Sequence, residues 1–208
     1  MSTLKTGALR GTSGTADSVQ LHASNQSVTF PGNVTCSGTA TGFGGGNVKY
    51  TKSSRIDLNG TNIAEFTVPS NCFKLWLTIR NMSTASTSNK ALTLRVGGSY
   101  VTSGYRSGAG YIETNADPSI ATETNDGWWH FNRNLAGAGH TINGIFEMAE
   151  MDTNAWHHSW ISDGGNAGLM GVSAGYVGLS GELDALKVTS SSGNFDDGAI
   201  IAHFLELV

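Results

Sequence analysis

The stretch Cys72-Phe73-Lys74-Leu75-Trp76-Leu77-Thr78-Ile79-Arg80 decides the fold class. Phe73, Leu75, Leu77 and Ile79 fall on one side of it, and Lys74, Trp76, Thr78 and Arg80 on the other. Strict alternation over nine residues is the period of a strand with one face buried and one wet. Working outward, Asn62 to Val68 reads as a strand before it, Asn81 to Lys90 as a Ser/Thr/Asn turn, and Ala91 to Val96 as the returning strand. Gly97-Gly98 breaks the pattern before Tyr100-Val101. Later strands are expected at Gly127 to Phe131, Thr141 to Met151, Ala155 to Ser162, Ala185 to Ser190 and Ala199 to Leu207. Only Glu147 to Met151 hints at a helical period, and five residues cannot establish one.

Composition points the same way. Of 208 residues 38% are apolar and only 13% charged, against a usual charged share of about 25%. Polarity rests on Ser, Thr, Asn and 28 glycines, which suit pleated surfaces and tight turns better than exposed helices. An all-β protein follows, with a β-sandwich of jelly-roll character over residues 47–208.

Residues 1–46 form a separate region of short β-prone pieces, Leu4 to Leu9, Ser18 to His22, Ser27 to Phe30 and Asn33 to Cys36. Each piece is too short to bury itself, so the region is expected to attach to neighbours or to intertwine with copies of itself. Gly42-Phe43-Gly44-Gly45-Gly46 reads as the hinge between the two regions.

Charge is unevenly spread. Residues 1–112 hold ten basic and three acidic side chains (+7), and residues 113–208 hold two and thirteen (−11). Two arrangements satisfy this: strands of the two halves interleave and offset one another locally, or opposite faces attract between subunits.

Several functions lack their chemistry. The chain has no G-x-S-x-G, no H-E-x-x-H, no P-loop and no C-x-x-C, so no catalytic residue, metal site or cofactor is expected. Cys36 and Cys72 read as free, partly buried thiols. Basic residues never cluster, which argues against nucleic acid. No run of 18 apolar residues supports a membrane helix, and Met1 to Leu9 has no signal-peptide core. His157 and His158 are neighbours on a strand and point to opposite faces, so they cannot share a metal from a regular ladder. Glu150 and Asp152 would share a face, with Glu147 opposite.

Aromatics are the better lead to binding. Trp128, Trp129, Trp156 and Trp160, with Tyr105, occupy the middle of the sandwich sequence. They form the expected contact set, for a glycan or for another subunit.

The closing stretch "LDALKVTSSSGNFDDGAIIAHFLE" resembles a β-sandwich domain of phage tail-fibre and tail-appendage proteins. The matching elements are Leu183-Asp184, Leu186 to Thr189, Asn194, Phe195-Asp196 with Gly198, and Ile200 to Glu206. Asp196-Asp197-Gly198 reads as a tight turn anchored by Phe195. The leader "MSTLKTGALRGTSGTADSVQLHASNQSVTFPGNVTCSG" is similar to short N-terminal repeats of phage fibre proteins. The resemblance implies a virion part with a sandwich fold. With the leader, the glycine hinge, the all-β domain and the absent chemistry, the expectation is a non-enzymatic, homotrimeric tail fibre or appendage, held to other virion proteins through residues 1–46 and open to a host glycan. A capsid decoration or head-fibre protein, and a carbohydrate-binding module, are the alternatives.

Overall fold

The computed structural model describes residues 48–85, 90–113, 119–125, 127, 141–163 and 169–208, with backbone alone for 111–113, 119–125 and 169. The expected attachment segment 1–46, with its hinge and Cys36, lies outside the described residues. Residues 44–208 make up one compact unit.

Thirteen strands and no helix are found among the described residues. The first four are β1 (Val48–Lys52), β2 (Ile56–Asp57), β3 (Ile63–Thr67) and β4 (Cys72–Thr84). Then come β5 (Lys90–Val96), β6 (Ser99–Tyr100), β7 (Tyr105–Glu113) and β8 (Ser119–Asn125). The last five are β9 (Ile142–Asp152), β10 (Ala155–Asp163), β11 (Leu169–Gly178), β12 (Leu183–Ser190) and β13 (Phe195–Leu207). The large sheet has the order β1-β13-β4-β9-β10-β11-β7-β8, with β2 also on β13; the small sheet is β3-β12-β5-β6. All pairings are antiparallel.

One core joins the sheets. Leu75, Leu77 and Ile79 of β4, as the alternation requires, pack with Phe146, Trp160 and Phe204 of the large sheet and with Phe66, Leu94 and Leu186 of the small one. Burying such side chains stabilises by about 1.5–3 kcal/mol each. Tyr105 adds a polar tie: on β7 of the large sheet, its hydroxyl accepts the Leu94 amide of β5 at 2.8 Å.

Charge is offset locally, because strands of the two halves interleave. Lys49 meets Glu206 at 3.2 Å, Lys74 meets Glu147 at 3.0 Å and Arg95 meets Asp184 at 2.6 Å. Each pair joins the basic first half to the acidic second.

The expected strand Thr141 to Met151 is found as β9, with Glu147 to Met151 part of it. The structure departs from the sequence expectations in three places. Strand β4 runs on to Thr84 through a bulge where Asn81 takes φ 51°, so the expected turn starts later. Asp196-Asp197-Gly198 is no turn between strands but a double bulge inside β13. There Asp197 accepts the Gly198 amide at 2.6 Å, and Gly198 at φ 111° would place a Cβ 2.7 Å from Met82 Cα, so only glycine fits. Finally β1, β2, β7, β8 and β11 were not expected. Of the expected strand Gly127 to Phe131, Gly127 is a buried bend and the rest lies outside the described residues.

Candidate functional site

Register fixes what the large sheet shows on the face turned away from the small one. Thr78 pairs with Ile201 on one side and Ile145 on the other; Ile145 pairs with Ile161, and Ile161 with Val172. One ladder step along lies the row His203, Trp76, Glu147, Ser159, Ala174. Ile145, Ile161, Met170 and Val172 are exposed there, Ile161 at 64%. Ile145, Ile161 and Met170 floor an open depression rimmed by Asn143, Glu147 and Asp163. A contiguous apolar patch of this kind marks a contact surface more often than scattered exposed leucines do.

Beside the patch, at the β1 edge, three rings meet. Tyr50 is 53% exposed, and Trp76 and His203 are half-buried. Their centroids lie 5.9 Å (Tyr50–Trp76), 6.0 Å (Tyr50–His203) and 5.0 Å (Trp76–His203) apart, with planes within 21° of one another. Tyr50 Oη lies 2.7 Å from His203 Nδ1, and Thr78 Oγ1 lies 3.1 Å from Nε2. The bond joins the phenol oxygen to the imidazole edge, and the three nearly parallel rings make up one aromatic tile. Burial, then the Lys52 charge, hold the His203 pKa below the usual imidazole value. A neutral ring donates through one nitrogen and accepts through the other, which the two hydroxyls can satisfy.

The sequence-derived contact set lies elsewhere. Trp156 and Tyr105 are 1% exposed and Trp160 2%, all packed in the core. These three are therefore not surface contact residues, because odd and even positions of β10 take opposite faces and Trp156 and Trp160 share the inner one. Trp128 and Trp129 lie outside the described residues. His157 and His158 do point to opposite faces: His157 is exposed with Tyr176 at 5.1 Å, and His158 is buried against Phe146 at 5.1 Å. Trp76 was readable as an outward residue from alternation, but Tyr50 and His203 were not marked. They come together only through the β1-β13-β4 order, which joins residues 50, 203 and 76.

The carboxylates serve the fold. Glu150 accepts the Asn154 amide at 2.7 Å in the β9–β10 turn, Asp152 accepts that of Thr153 at 2.7 Å, and Glu147 pairs with Lys74. Asp184 of the closing motif accepts from Arg95 Nε at 2.6 Å and from the Gly98 amide at 2.8 Å, which pins the Gly97-Gly98 turn. The Arg95 contact, then the Gly98 amide, keep its carboxyl below the usual range. Burial pushes the Cys72 thiol up to about 11, where it is an unreactive thiol at neutral pH. Among the described residues no three His, Cys, Asp or Glu side chains gather in a way that would hold a metal ion, and no helix is long and apolar enough to cross a membrane. No family model, curated protein or solved structure matches the chain.

Proposed function

We propose that this chain is a non-catalytic structural protein of a bacteriophage virion, a tail fibre or tail appendage. It assembles as a homotrimer, attaches to other virion proteins through residues 1–46, and meets the host through the outer face of its large sheet. The observation that carries this reading is the closing strand pair. Its resemblance to the tail-appendage sandwich falls on residues with structural work: Leu183 and Phe195 fill the core, Asp184 pins a turn, and Gly198 makes a bulge no other residue fits. The exposed row Ile145, Ile161 and Val172 suits packing between copies, where its apolar surface leaves water.

Immunogold labelling of phage particles that carry the gene, with antibody raised against residues 47–208, tests the reading. Gold at the tail or its appendages is expected. Unlabelled particles would overturn the virion assignment, and labelled heads with bare tails would replace the tail by the capsid.

A further inference from the structure

The ring cluster at the β1 edge has a chemistry of its own. The tile of Tyr50, Trp76 and His203 is flat and partly exposed. Flat aromatic surface of this size takes the C–H face of a pyranose ring, and rim hydroxyls and charges then select among sugars. The rim offers the exposed Thr78 hydroxyl and the Lys74–Glu147 pair beside Trp76.

The cations around the tile are not equivalent. Lys49 is committed to Glu206, which also accepts the Thr51 hydroxyl, and Lys74 is committed to Glu147. Lys52 stands directly across the ladder from His203 on the ring-bearing face, and its charge is felt at that imidazole. It is exposed and has no acidic partner among the described residues. Among the described residues the carboxylates nearest the tile, Glu206 and Glu147, are each paired with a lysine, which leaves the Lys52 charge available to an anion.

We infer that Tyr50, His203, Trp76 and Lys52 form a binding site for an acidic saccharide, the sugar ring lying on the tile and its carboxylate on Lys52. This rests on the outer face being the contact surface, and it adds the class of ligand. The site adjoins the apolar row one ladder step away and shares Thr78 and Glu147 with its border.

Saturation-transfer NMR and calorimetric titration of the full chain with methyl glucuronide and with methyl glucoside test it. The glucuronide is expected to bind about tenfold more tightly, the size of one charge-assisted contact. That preference shrinks as salt rises. Lys52→Gln removes the preference and leaves glucoside binding unchanged; Tyr50→Ala weakens both. Arg55→Gln, which removes a cation paired with Asp57 at 3.6 Å, changes neither. Equal affinity for the two sugars, a Lys52→Gln chain that keeps the preference, or equal competition by an acidic peptide would each overturn the inference. Saccharide failure with gold-labelled tails removes this site and keeps the appendage; saccharide binding with unlabelled particles does the reverse.

Discussion

The two faces of the large sheet each carry a histidine stacked on an aromatic ring, and the comparison separates architecture from contact. On the inner face His158 lies 5.1 Å from Phe146 at 20°, buried, with Ser173 Oγ 3.3 Å from its Nε2. On the outer face His203 lies 5.0 Å from Trp76 at 3°, half in solvent, with hydroxyls of Tyr50 and Thr78 on its two nitrogens. The local geometry is nearly the same. What differs is the cover: the inner pair is buried in the core, and among the described residues the outer pair stays half in solvent. A histidine stacked on an aromatic ring is thus part of the core on one face and left partly exposed on the other.

The contrast breaks most sharply by truncation. Trp160→Ala should destabilise by about 3–5 kcal/mol in chemical denaturation, as buried tryptophans do. Trp76→Ala should cost under about 1.5 kcal/mol, since its ring is already partly wet. Equal losses would mean that the two faces are energetically alike.

The next effect is electrostatic. Lys90 is fully buried with its Nζ 3.1 Å from Thr84 Oγ1, and burial lowers its pKa from 10.5 to about 8. Between those values the unfolded chain holds a proton that the folded chain does not. The Lys90 contribution to stability therefore rises as pH climbs from about 8 to 10.5, by at most about 3 kcal/mol, and is absent below 8. Denaturation series across that window should show the native chain gaining stability over Lys90→Met as pH rises, while the raised Cys72 thiol lowers both chains alike above pH 9.

Glycine on the inner face gives a smaller effect. A Cβ at Gly175 would collide with the His158 ring and the Arg106 carbonyl, and one at Gly144 would meet the backbone of β10 and the Trp160 ring. Gly175→Ala should cost about 1–3 kcal/mol by overpacking, read as a lowered denaturation midpoint.

These glycines explain how far the sequence could be read. Alternation in Cys72 to Arg80 and in Ala155 to Ser162 revealed β4 and β10, because their side chains are large and differ between faces. Strands β7 and β11, "YRSGAGYIE" and "LMGVSAGYVG", went unmarked, and their glycines, which normally punctuate, give no strand signal. In β11 a glycine stands where His158 of the neighbouring strand needs the space, a tertiary demand that no local window contains. The candidate site was hidden for a related reason. Tryptophan density drew the reading to Trp156 and Trp160, whereas Tyr50, Trp76 and His203 are scattered singly and meet only through sheet order. The turn expected at Asp196-Asp197-Gly198 had the right residues for positive φ and a capped amide, but β4 lies alongside and converts the turn into a bulge.

Light scattering on the full chain and on Ile161→Glu tests most directly whether the outer face makes the contacts. Ile161 is exposed, so the substitution leaves the core untouched. The native chain should scatter as three copies and Ile161→Glu as one. A single-copy mass for the native chain, or a trimer that survives Ile161→Glu, would contradict the account.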